Sequence, residues 1–326
     1  MKTVCYGILS LILTLCILIM PREALDGATQ GLLLWFNRVV PAMLPCMMLT
    51  SFCMETGLLH RLQNQNIGAL QRLTGLSGGG LYAALLGLLC GYPMGAKITA
   101  DLYRKSLIER REACYLLCFC NQLSPSFLIE YVLFGLYADT EFILPFLLAM
   151  YMGILFTQIF FHLHFLRTAN QRRAIPFIQA ASVEPAVYPA HKKETPKTFT
   201  LGESLDASVM NSLEIIAKIG GYMILFSVFA QLLSHFITLF SPWDAVLVTV
   251  MELTTGLNAL RQSFGTSLSG ICLACALCAF GGLSSVMQTA SVLKGTDLSV
   301  GSYIRAKILQ STVTLLFAFL LFSVLS

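Results

Sequence analysis

The sequence predicts an all-α polytopic membrane protein built from two inverted repeats, each with a re-entrant hairpin and a discontinuous helix, giving about seven crossings plus two hairpins. Three observations predict it. The residues are 56% hydrophobic and 12% charged, against about 25% charged in a soluble domain, and the apolar residues come in long runs closed by short charged clusters. Four of those runs are interrupted by glycine, proline and amide residues. The interruptions on the two sides of a polar linker recur at a near-constant offset.

Taken in order, the apolar runs are 4–20, 32–59, 80–100, 113–137, 142–166, 209–240, 244–261, 268–293 and 303–325. The first follows a single Lys2, and the PREALDGA after it offers no small-residue cleavage site, so residues 1–27 read as an uncleaved N-terminal membrane helix. Residues 28–166 form the first repeat and 207–326 the second. The stretch between them, 167–206, holds Pro176, Pro185, Pro189 and Pro196 among Arg167, Arg172, Arg173, Lys192, Lys193 and Lys197, and reads as a basic linker. By the positive-inside rule that linker is cytoplasmic.

Charge bookkeeping sets the crossings. If 80–100 and 244–261 dip in and return, then Lys2, Arg61, Arg72, Lys97, Arg104, Lys105, Arg110, Arg111, the linker cations, Lys294, Arg305 and Lys307 all fall on the cytoplasmic side. Arg22, Arg38 and Arg261 are left outside, the N-terminus is cytoplasmic and the C-terminus is outside. Nine plain spans are the alternative that the same runs allow. The net charge of +4 is spread over loops, which excludes a nucleic-acid surface and leaves the lipid bilayer as the main surroundings.

The two repeats align through LLCGYPMGAK over TVMELTTGLN and CFCNQLSPS over CAFGGLSSV, at offsets of 161 and 160. An odd number of crossings in each unit inverts one relative to the other, an architecture of secondary transporters. Within it, Gly91, Tyr92, Pro93 and Gly95 make the first hairpin tip. Asn121, Gln122, Ser124, Pro125 and Ser126 break the first discontinuous helix. Glu252, Thr254, Thr255, Gly256 and Asn258 make the second tip, and Gly281, Gly282, Ser284 and Ser285, with Gln288 one turn on, break the second helix. Irregular backbone at membrane depth persists only where it lines protein or a wet cavity. The four breaks therefore predict one central polar cavity whose half-helix N-termini face an anionic solute.

Single residues sharpen that expectation. Lys97 either pairs a substrate carboxylate or snorkels to the cytoplasmic mouth beside Asp101, Arg104 and Lys105. Glu252 either carries a coupling proton or cation, or accepts from substrate, or is tied to the hairpin amides. Glu130 faces the same cavity or pairs with Lys218. Gly78–Gly80 and Gly87 permit close helix approach. Cys272, Cys275 and Cys278 share a helix face but lack a nearby His or carboxylate, so they read as packing, with no metal and no cofactor. His60, His162, His164 and His235 read as interfacial. Gly265-Thr266-Ser267 has no His beside it, and no enzyme is expected.

GYPMGAKITADLYRK (91–105), CFCNQLSPSF (118–127), MELTTGL (251–257) and FGGLSSVMQ (280–288) together resemble the sporulation integral membrane proteins of the nucleoside-recognition, or Gate, domain superfamily. The resemblance runs from about residue 28 over nearly the whole chain. It implies an endospore-forming bacterium, an outer forespore membrane, and a carrier by which the spore accumulates dipicolinic acid from the mother cell. A more distant similarity to concentrative nucleoside transporters implies that Gly91, Pro93, Gly95, Asn121, Ser124, Pro125, Glu252, Thr254, Thr255, Gly282 and Ser284 line the solute path. Two other functions stay open beside it: transport of a nucleoside or other small solute, and a non-transporting assembly protein with spore-membrane partners.

Overall fold

A computed structural model describes residues 2–56, 71, 74–137, 141–173, 200–237 and 242–325, and every regular element among them is helical. Helix α1 (Lys2–Ile19) stops at Met20, and Pro21 opens α2 (Pro21–Leu34) at a position where its missing N–H costs nothing. A π-helical turn (Trp35–Val39) leads into α3 (Val40–Glu55). The run from Pro21 to Cys53 bends by 55°. Pro41 and Pro45 account for the bend, because each removes a rung of the hydrogen-bond ladder there. The expected run 32–59 thus begins a full three turns earlier.

Each half then follows the same order. In the first, α4 (Gly78–Cys90) folds back through residues 91–93 onto α5 (Met94–Arg104), α6 (Arg110–Leu117) runs into a non-helical stretch, a π-wound α7 (Phe127–Tyr137) continues, and α8 (Ile143–Arg173) closes the unit. In the second, after the long α9 (Leu201–Ile237), α10 (Trp243–Met251) folds back at Glu252 onto α11 (Leu253–Phe264). Helix α12 (Leu268–Phe280) turns through Gly281 into α13 (Gly282–Leu293), and α14 (Val300–Leu325) closes the unit. The breaks fall where glycine, proline and capping residues interrupt the apolar runs. Gly281 and Gly282 take φ values of 88° and 80°, a region that a β-carbon disfavours. Glu252 is extended, and its side chain caps α11.

Two apolar clusters form the interior, and each draws residues from both halves. One gathers α4, α5 and α6, including Ile98, Leu102, Leu116 and Phe119; the other gathers α7, α10, α11 and α12, including Leu133, Leu253, Leu260 and Cys275. Helix α9 bridges them and packs along α2, where Gly27 and Gly31 sit so close to Ser227, Val228 and Ile224 that a β-carbon would meet their atoms at 2.8–2.9 Å. Cys272, Cys275 and Cys278 are buried within the second half, as packing residues should be.

Among the described residues four helices are long and apolar enough to cross a bilayer, Ile143–His164, Leu201–His235, Leu268–Leu293 and Val300–Val324, or five with the bent α2–α3 pair. The span Leu268–Leu293 passes its own break without a sharp bend. The ends of the expected linker are shorter than the sequence suggests. Residues 167–173 continue α8, and α9 starts at Leu201, where Thr200 and Glu203 form a reciprocal cap: the Thr200 N–H and hydroxyl donate to Glu203 Oε2 at 2.8 and 2.9 Å. Polarity ended the apolar runs without ending the helices. The middle of the linker, 174–199, and the loop holding His60 and Arg61 lie outside the described residues.

Candidate functional site

All four breaks meet at one cavity. It is lined by Gly91 and Tyr92 ahead of α5, Ser124, Ser126 and Phe127 at the start of α7, Glu252 and Thr254 at the start of α11, and Gly281, Ser284, Ser285 and Gln288 at the start of α13. About 80 Å³ of it is open to water-sized solutes, room for several waters at the ~10–15 Å³ that one needs. The N-terminal ends of four helices therefore border one space. Each such end carries a partial positive charge and amides without intrahelical acceptors, so the space is biased toward a negative group.

Two tyrosines tie the halves together at this cavity. Tyr92, from the first fold-back, donates through its hydroxyl to the Gly281 carbonyl of the second break at 3.3 Å. Tyr131, from the first broken helix, donates to the Thr254 carbonyl of the second fold-back at 2.8 Å and accepts from Asn258 Nδ2 at 2.9 Å. Side chains of the first half thus hold the irregular backbone of the second. Ser285 donates to the Gly282 carbonyl, and Gln288 Nε2 donates to Ser284 Oγ.

Glu252 is 3% exposed and sits on the cavity wall. Its Oε2 accepts from the Thr255 N–H at 2.8 Å and from the Thr254 hydroxyl, so the expected tie to hairpin amides exists. Both bonds fall on one oxygen, and no group among the described residues bonds Oε1. The carboxylate is at once a helix cap and a cavity acceptor.

Half of the expected site residues line the cavity, and the others stand behind it. Pro93 and Gly95 lie within the first fold-back, with Gly95 against the Cys120 carbonyl; Gly256 lies against Thr249; Thr255 contributes its amide; and Pro125, Asn258 and Gly282 shape the breaks next to lining residues. Asn121 and Gln122 are buried in a second polar cluster. Asn121 Nδ2 donates to Thr289 and Tyr303 at 2.9 and 3.1 Å, and Gln122 exchanges amide bonds with Gln310 at 2.8 and 2.9 Å. Lys97 is a correction. It does not line the cavity; its ammonium pairs with Asp101 at 2.8 Å, one helical turn on, and Arg104 pairs with the same carboxylate. A second correction concerns Lys307, grouped above with Lys294 and Arg305: it is 1% exposed in the interior.

The cation at the cavity is Arg38. It lines the wall from the π-helical turn between α2 and α3, with Glu130 and Tyr131 of α7 on the same lining. Arg38 and Glu130 are exposed and stand at the rim, whereas Glu252, Ser284 and Ser285 are buried at the base. Lys218 pairs with Glu214, which leaves Glu130 to the cavity. The signal for Arg38 was present as a lone cation inside an apolar run, but charge bookkeeping used it only to count sides of the membrane. Val39, Met43, Ile219 and Met223 complete an apolar side wall that no polar motif could reveal. Among the described residues no group of three His, Cys, Asp or Glu gathers to hold a metal ion.

The chain is similar to the sporulation integral membrane protein YlbJ of Bacillus subtilis (strain 168), with 26% identity over 328 residues that cover 95% of this chain and 80% of the relative. No family model matches, and no solved structure matches. Similarity over nearly the whole length, together with the long apolar helices, supports an integral membrane protein of the sporulation type.

Proposed function

We propose that this chain is a carrier for a small organic anion, with dipicolinic acid the first solute to test, moved from the mother cell across the outer forespore membrane during endospore formation. The observation that supports this reading best is the convergence of four helix N-termini on one cavity, an arrangement suited to carboxylate oxygens. Arg38 at the rim supplies a full positive charge in a bidentate geometry that matches a carboxylate. In the same reading the two repeats are inverted in the bilayer, α4–α5 and α10–α11 are re-entrant, and the halves rock about the cavity with the N-terminus cytoplasmic and the C-terminus outside. Glu252 takes a coupling proton or cation as the anion enters, which removes the repulsion between two negative groups. The carrier performs no covalent step and is not an enzyme; its partners are the solute, the coupling ion, the lipid bilayer and other spore-membrane proteins.

Uptake of labelled dipicolinate into proteoliposomes tests this. The wild-type protein is expected to give saturable uptake that unlabelled nucleoside does not compete away. Arg38→Ala should raise the half-saturating concentration about tenfold or more, the value of a lost charge-assisted hydrogen bond. Lys97→Met should change uptake by less than about twofold, since Lys97 does not line the cavity and Asp101 keeps Arg104 as a partner. Saturable nucleoside uptake instead would identify the alternative solute class. A protein that moves neither, while folded and reconstituted, would be an assembly component of the spore membrane.

A further inference from the structure

Helix α14 carries a polar stripe behind the cavity: Tyr303, Lys307, Gln310 and Ser311 recur at one-turn spacing on the face toward the two breaks. Lys307 is its centre. The ammonium donates to the Gln122 side-chain oxygen of the first break at 3.0 Å and to the Ala279 carbonyl, in the last turn of α12 before the second break, at 3.1 Å. Gln122 is itself fixed, through its Nε2 bonds to the Phe119 carbonyl and to Gln310. Ser311 takes the Ala276 carbonyl one turn below at 2.6 Å.

Among the described residues Lys307 forms no ion pair; its oxygen partners are all neutral. A fully buried ammonium without a carboxylate needs another source of stabilisation. The breaks provide one. Interrupting α12 at Gly281 frees carbonyls of its last turn, and that end of the helix carries the negative end of its dipole. Carbonyl and amide oxygens at half-helix C-terminal ends are the ligands that transporters of broken-helix construction present to an alkali-metal ion.

We propose that Lys307 is a tethered cation that fills such a site permanently, pinning the first break to the second, so that this protein needs no alkali-metal ion to hold its two repeats in register. The consequence for coupling rests on the carrier reading above; the cation site itself does not, and the two are measured separately.

The site is tested by thermal unfolding of the purified full chain in detergent, with no solute present. The wild type is expected to melt at the same temperature in sodium and in choline chloride. Lys307→Ala vacates the pocket: its melting temperature should fall by about 10 °C and recover by at least half in 100 mM methylammonium or sodium but not choline, as mass action requires of a ligand that binds the folded state. Lys307→Ala that melts like the wild type, or that responds to none of these cations, overturns the proposal. Where Lys307→Ala cannot be purified, Lys307→Arg and Lys307→Met decide. Recovery of the arginine variant with loss of the methionine variant supports a cation requirement; equal behaviour of the two, in either direction, refutes it. In proteoliposomes, wild-type uptake that is independent of sodium is expected, and strict sodium dependence would refute the coupling consequence while leaving the carrier reading intact.

Discussion

Glu252→Gln is expected to lower solute uptake by at least tenfold while leaving the melting temperature within about 2 °C of the wild type. The two halves of that expectation come from the two oxygens of one side chain. Oε2 caps α11 through the Thr255 amide, and a glutamine carbonyl oxygen accepts the same bond, weakened because it is neutral. The cavity side of the group is what glutamine cannot reproduce: it neither holds a negative charge nor exchanges a proton. Glu252→Ala removes the cap as well, so it should lose uptake and also about 1 kcal/mol of stability, the usual value of an N-cap. Uptake by Glu252→Gln equal to the wild type, with Glu252→Ala destabilised, would make the residue a helix cap and nothing more. Transport at matched protein density, beside a thermal melt of each variant, separates these outcomes.

Much of this site was legible because membrane burial makes polar backbone breaks conspicuous. Gly91, Ser124, Glu252 and Gly281 interrupt runs that are otherwise apolar, and all four line one cavity. What sequence order could not supply was the facing of single side chains. Lys97 sits four residues before Asp101, a spacing that favours a local pair over a cavity role. Lys307 was grouped with Arg305 by proximity, yet two residues along a helix turn a side chain by about 200°. Arg305 is exposed and Lys307 buried for that reason. The polar stripe of Tyr303, Lys307 and Gln310 was written at the helical period and was obscured by counting charges per loop. Arg38 was read only for its side of the membrane, and its place on the cavity wall depends on a π-helical turn that the sequence does not announce.

The offset read between the two sides of the linker can be compared with backbone positions. Glu252 lies 161 residues beyond Gly91 and Gly256 the same distance beyond Gly95, and each pair has a fold-back residue followed by a glycine in close backbone contact, Gly95 with Cys120 of the first break and Gly256 with Thr249 of the opposite arm. In both places a glycine stands where two backbones nearly touch and a β-carbon has no room.

Gly95→Ala is expected to be strongly damaging, and Gly87→Ala likewise. A β-carbon on Gly95 would lie 2.3 Å from the Cys120 carbonyl oxygen and 3.1 Å from the Asn121 α-carbon, and a β-carbon on Gly87 of the other arm would lie 2.2 Å from the same oxygen. Three backbones meet at one oxygen, so no flexible side chain can move aside. Overpacking of this kind costs about 1–3 kcal/mol and sometimes more, and here the strain falls on the break that presents Ser124 to the cavity. Gly256→Ala meets the Thr249 backbone at 2.1 Å and should behave alike in the second repeat. Gly221→Ala is the control. It is a helix-interior glycine of α9 with open space around it, and alanine there should stabilise by about 0.5–1 kcal/mol. Thermal melts are expected to rank Gly221→Ala above the wild type and the close-contact variants several degrees below it, with uptake lost in the latter. Equal melting of Gly95→Ala and Gly221→Ala would mean that the fold-back arms stand apart, and with them the tip residues that the cavity needs.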